Sequence, residues 1–164
     1  MGAAPMHHAS ITVTDLDRSI AFYESALGLR TTMRAPLAPE TCRSYLHLPP
    51  GTAGEMAMLQ AGSHAVGALE LLAFDGAPAP RAEPLRPGQP GVWMVAFEVV
   101  DETLTEARDR LVSQGVSLWS DITVAELDGY PPFTMLLFED PDGTLLELLE
   151  LPSADAVRAA RPPR

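Results

Sequence analysis

The stretch "GVWMVAFEV", Gly91 to Val99, decides how the chain is read, because an earlier stretch, "HHASITVTD" (His7 to Asp15), runs parallel to it. Both alternate apolar side chains in the manner of a half-buried strand. Setting "ITVTD" (Ile11 to Asp15) on "FEVVD" (Phe97 to Asp101) gives an offset of 86 residues, which carries His8 onto Met94. A second match closes each half: "GALELL" and "GTLLELL" share Glu-Leu-Leu and pair Glu70 with Glu147. Four positions, His8, Glu70, Met94 and Glu147, therefore stand in a pseudo-two-fold relation.

Around these anchors each half reads as strand, helix, then three strands. In the first half, "TDLDRSIAFYESALGL" follows the opening strand, with Leu16, Ile20, Tyr23 and Leu27 at helical spacing. Thr14 or Asp15 can cap its start and Gly28 can end it. The runs "RSYLHL", "GEMAMLQ" and "ALELLAF" read as strands between Pro- and Gly-rich turns. In the second half, "DETLTEARDRLVSQG" is the helix, with Leu104, Ala107 and Leu111 on one face and Gly115 as its stop. "VSLW", "FTMLLFED" and "GTLLELLEL" supply the further strands. The proline-rich segment between the halves fits neither a ladder nor a helix interior. The expected organisation is one domain with module one at 6–75, a linker at 76–90, module two at 91–151 and an unassigned tail at 152–164.

Strand parity gives the polar residues a direction. His8, Ser10 and Thr12 share one face, and Ala9, Ile11 and Val13 share the other, which packs on the helix. In the second half Val95, Phe97 and Val99 take the helix side, leaving Met94, Ala96 and Glu98 opposite. A carboxylate flanked by leucines must reach water or a partner, because burying it alone costs several kcal/mol, roughly. Two such carboxylates and a histidine on matched strands can converge on a divalent cation, or they can be ordinary polar residues on solvated faces.

The 164 residues suffice for a substantial core, and the formal net charge is −11 with every basic side chain an arginine. Such acidity argues against a nucleic-acid or anionic-membrane partner. No apolar run approaches the ~18 residues of a membrane span. The opening "MGAAPMHHASI" lacks a basic region followed by an apolar one, so no signal peptide is expected. Cys42 is the single cysteine, which excludes an intrachain disulfide and fits a reducing cytoplasm. No histidine-bearing motif accompanies Cys42 to make it a nucleophile.

The opening "HHASITVTDLDRSIAFYESALGL" and the closing "FEDPDGTLLELLE" resemble the vicinal oxygen chelate superfamily. That superfamily includes glyoxalase I, methylmalonyl-CoA epimerase, extradiol dioxygenases and the bleomycin and fosfomycin resistance proteins. The likeness runs from about His7 to Leu151. It implies an α+β fold of two βαβββ modules, whose curved mixed sheets form a cleft with helices outside; a homodimer is expected separately. It also implies a metal site on the first and last strands of each module, falling on His8, Glu70, Met94 and Glu147. Family members with an intact site usually carry His where this chain has Met94.

A thioether suits copper(I) and binds hard divalent cations poorly. The expected metal ligands are therefore His8, Glu70 and Glu147, a set able to hold Fe, Mn, Co, Ni or Zn with open positions and weakened affinity. Alternatively Met94 only fills an apolar cavity, and the other three serve as hydrogen-bonding pocket residues. Candidate substrate-pocket residues are Met94, Met58 (which shares a face with Met56), Met135 beside Phe133, Tyr45 with His47, and Tyr130 on a loop. The expected partner is a small organic molecule.

Two function classes follow. One is an enzyme in which a metal polarises neighbouring substrate oxygens and Glu70 or Glu147 moves a proton, in lyase, isomerase or dioxygenase chemistry. Extradiol dioxygenation fits less well, since its usual site has two His and one Glu. The other is a metal-free protein that binds and sequesters a compound such as an antibiotic.

Overall fold

The structure, a computed structural model, describes residues 5–62, 67–76 and 88–160. The chain divides into two compact units, Met1–Ala82 and Glu83–Arg164. Most of the expected linker lies outside the described residues.

Unit one runs β1 (His8–Thr12), α1 (Leu16–Leu27), β2 (Arg30–Leu37), α2 (Pro39–Ser44), β3 (Gly54–Gln60) and β4 (Ala68–Phe74). Its sheet has the order β1-β4-β3-β2, with β1 parallel to β4 and the other pairs antiparallel. Unit two runs β5 (Val95–Glu98), α3 (Leu104–Ser113), β6 (Thr123–Leu127), β7 (Tyr130–Glu139) and β8 (Leu145–Glu150), followed by α4 (Ala154–Ala160). Its sheet repeats that pattern as β5-β8-β7-β6, again with one parallel pair, β5 and β8. Each unit is thus a βαβββ module, and the fold is α+β.

Helix α1 starts where Asp15 accepts a hydrogen bond from the Arg18 N–H, and it stops at Gly28, whose φ of 66° is the left-handed conformation glycine adopts freely. Its inner face, Leu16, Ser19, Tyr23 and Ala26, is buried, and the helix lies against β3 and β4. The strand residues Ala57, Leu59, Leu69 and Leu71 are also buried, and the register places Ala57 opposite Leu71 and Leu59 opposite Leu69. Fully burying a side chain of this size contributes roughly 1.5–3 kcal/mol. Helix α3 repeats the design. A capping box joins Thr103 and Glu106, and Leu104, Ala107 and Leu111 are buried where α3 meets β7 and β8. The matching strand residues are the pairs Leu136–Leu148 and Phe138–Leu146.

Ser19 is the one discordant member of the α1 face. It is fully buried, and among the described residues its Oγ has no hydrogen-bond partner. An unsatisfied buried hydroxyl costs about 1–3 kcal/mol, and alanine is the better helix former. Ser19→Ala is therefore expected to stabilise the protein by about 1 kcal/mol, read as a higher midpoint in urea at unchanged slope. A lower midpoint would mean that the hydroxyl is satisfied in solution.

Three strand expectations need correction. "RSYLHL" alternates as a strand does, yet Arg43 and Ser44 end α2 and Tyr45 caps it. Pro39 sits in the first turn, where its fixed φ suits a helix, and Ser44 Oγ donates back to the Glu40 carbonyl at 2.7 Å. The strand lies earlier, at β2, where Pro36 hides the pattern. An edge strand tolerates proline, and β2 pairs only with β3. "VSLW" supplies only a single bridge, Leu118 to Phe138, and the strand follows it at β6. "GVWMVAFEV" is strand only over Val95–Glu98, so Met94 stands just ahead of β5.

Candidate functional site

Each module brings its first and last strands together as its parallel pair, and that pairing sets the candidate residues. In unit one Ser10 stands opposite Glu70, and on the other side of β4 Met58 stands opposite Glu70. In unit two Ala96 stands opposite Glu147, flanked on the far side by Leu137. Ser10 and Ala96 are related by the same offset of 86 that relates His8 to Met94. The two glutamates thus occupy the same place in the two sheets, with different neighbours.

Around Glu70 the neighbours are polar. Ser10 Oγ donates to Glu70 Oε2 at 2.5 Å, and His8 Nε2 lies 3.6 Å from the same oxygen. That separation is too long for a hydrogen bond. It is close to the ~3–3.5 Å between two donors that each lie ~2.1 Å from one cation. His7 Nδ1 lies 2.8 Å from His8 Nδ1, so one of the two carries the shared proton. When His8 carries it, Nε2 keeps its lone pair toward Glu70, the tautomer a metal ligand requires. The same sheet face carries an apolar cluster of Met56, Met58 and Ala68, with Ala35, Leu37 and Leu72 packed on it.

Around Glu147 the neighbours are apolar. Its residue exposure is 7 %, and among the described residues its carboxylate has no hydrogen-bond or ion-pair partner. Burial raises its pKa above the ordinary carboxylate value. The repeat has Met94 at the position of His8 and Ala96 at the position of Ser10, so neither polar group beside Glu70 has a counterpart of its kind in unit two. The other buried carboxylate, Asp140, is accounted for locally: its Oδ1 accepts from the N–H groups of Asp142 and Thr144 in the turn before β8.

The remaining candidates are placed as follows. Tyr45 and His47 are exposed beyond α2, His47 with a φ of 57°. Met58 is buried directly across from Glu70. Tyr130, expected on a loop, instead opens β7 opposite Leu127, half-buried, with its ring edge-on to Phe133 at 5.9 Å. Met135 is half-buried two residues before Leu137, on the face of the sheet that bears Glu147. Met94 is half-buried. His8, Glu70 and Met58 thus share one face of sheet one, and Glu147 and Met135 one face of sheet two. The residues sequence reasoning passed over are Ser10 and His7. Ser10 was legible, since parity had put it on the face of His8.

The chain matches the model of the Glyoxalase/Bleomycin resistance protein/Dioxygenase superfamily over residues 6–148. It belongs to that superfamily. Among solved structures it is similar to a glyoxalase-family protein of Enterococcus faecalis at 28% identity, covering 88% of this chain and 96% of that one with a TM-score of 0.63. It is similar to the trypanothione-dependent glyoxalase I of Leishmania major at 25% identity, covering 90% and 87%, with a TM-score of 0.62. A glyoxalase-family protein of Bacillus cereus shares the fold, with 24% identity, coverage of 93% and 97%, and a TM-score of 0.76. No curated protein matches the chain in sequence.

Superfamily members such as glyoxalase I often bind a divalent metal. Among the described residues no three His, Cys, Asp or Glu side chains form a ready-made metal group. Sheet one offers the pair His8–Glu70, whose spacing suits a cation. Sheet two offers Glu147, whose carboxylate is without a partner among the described residues. Met94 contributes no hard donor. Among the described residues no helix is long and apolar enough to cross a membrane.

Proposed function

We propose that the protein is an enzyme acting on a small organic molecule with neighbouring oxygens, by metal-assisted lyase or isomerase chemistry. A divalent cation would be held by His8, Glu70 and Glu147. When bound it supplies Lewis-acid polarisation of the substrate oxygens and so acidifies a neighbouring proton. Glu147 takes up and returns that proton. The observation that carries this reading is the state of Glu147, buried, unpartnered among the described residues and raised in pKa. An isolated buried carboxylate is costly, and a cation or a substrate proton relieves that cost. A carboxylate whose pKa is raised is also the better proton acceptor. Glu70, tethered to Ser10, is the fixed donor by comparison.

The alternative is metal-free binding of a small compound, favoured by Met94 and Ala96 in place of polar side chains and by the Met56–Met58 cluster. Methionine-rich surfaces adapt to varied apolar ligands.

Calorimetric titration with Zn²⁺, Ni²⁺ and Mn²⁺ separates the two. Met94→His should add an imidazole donor and raise divalent affinity about tenfold or more, ~1.4 kcal/mol per factor of ten. Weak uptake by the wild type and tighter uptake by the variant is the expected result. If neither protein takes up any of the three ions, the metal-assisted reading fails and the binding reading replaces it.

A further inference from the structure

The two sheets present the same glutamate in the same register with one difference beside it, the hydroxyl of Ser10 in sheet one and the methyl of Ala96 in sheet two. We propose that Ser10 is a positioning residue whose hydroxyl holds the Glu70 carboxylate turned toward His8, so that sheet one presents a preset pair of donors to a divalent cation. The proposal rests on the metal-assisted reading and assigns Ser10 a part in it.

The geometry carries the argument. Ser10 Oγ meets Glu70 Oε2 at 2.5 Å, and Oε2 is the oxygen that lies 3.6 Å from His8 Nε2. The tethered oxygen is therefore the one that faces the imidazole. A serine hydroxyl has a single hydrogen to donate, so the tether leaves Oε2 a further lone pair and leaves Oε1 free. A glutamate side chain otherwise loses several rotatable bonds' worth of freedom when it is fixed on an ion. A partner that fixes it beforehand reduces that loss. Outer partners of this kind tune metal affinity by about 10–100-fold. Ser10 also has no large packing task to confound the reading, since it is exposed on β1, an edge strand. Ala96 has no hydroxyl to give Glu147 such a tether.

The test uses the full chain with Ni²⁺ or Mn²⁺ alone as probe, read by calorimetry. Ser10→Ala and Ser10→Val should each weaken binding about tenfold. Ser10→Thr, nearly the same shape as Val but with the hydroxyl, should bind close to the wild type. Equal affinity in all four proteins overturns the proposal, as does equal weakening by Val and Thr, which would make shape rather than the hydroxyl the cause. If the wild type takes up no divalent ion, the metal-assisted reading falls, and the tether is read without metal by NMR of the side-chain carboxylates. The Glu70 carboxylate signal should then move in Ser10→Val and stay in Ser10→Thr. Ala96→Ser should move the Glu147 signal and leave Glu70 in place. A Glu70 signal unmoved by Ser10→Val overturns the proposal on that arm as well.

Discussion

Glu147→Gln is expected to slow proton exchange at carbon about 10²–10⁴-fold, or ~3–5 kcal/mol in the barrier, because the amide cannot accept the proton. Uptake of solvent deuterium by a panel of small compounds with neighbouring oxygens, followed by NMR, supplies the measurement. The same substitution should stabilise the fold, and the sign follows from linkage. The folded protein holds the Glu147 proton more tightly than the unfolded chain, since burial raises its pKa above 4.5. The stability this contributes is fully present below 4.5 and is lost as pH rises through the raised value. Glutamine does not ionise and loses nothing over that window. The variant's advantage in urea should therefore be small at acid pH, widen as pH rises, and level off above the raised value. A residue that lowers stability at neutral pH and carries the rate is one kept for chemistry. Unchanged exchange, or a variant less stable at every pH, would remove Glu147 from the role assigned to it.

Much of the architecture was legible because the chain states it twice. The offset set by "ITVTD" and "FEVVD" makes Ser10 the counterpart of Ala96, as the shared Glu-Leu-Leu makes Glu70 the counterpart of Glu147, and the structure pairs each with its glutamate in the same register. The two longer helices, α1 and α3, were legible for local reasons, apolar spacing with a polar cap before and a glycine after. The edge strands were not. Strand β2 carries Pro36 and three exposed residues in succession, Thr32 to Arg34 by way of Met33, so it lacks period-two alternation. Strand β6 is exposed along most of its length and gives a similarly weak signal. Conversely, "SYLHL" alternates by chance where Pro39 has already begun a helix. At the candidate site, residue type and parity named His8, Glu70 and Glu147. The difference between the two glutamates depended on side chains across the strand, and sequence spacing alone does not weigh those.

The proposed metal-assisted reading requires His8, Glu70 and Glu147 each to serve as a donor to a divalent cation. A single series of calorimetric titrations with Ni²⁺ tests it: the wild type against His8→Ala, Glu70→Gln and Glu147→Gln, each checked for folding by its urea transition. Removing a direct donor should cost more than the ~10–100-fold that outer partners cost, so each substitution should weaken binding more than about a hundredfold or abolish it. The stoichiometry should be one ion per chain in the wild type. Wild-type binding that survives all three substitutions, or no binding in the wild type at all, would contradict the claim.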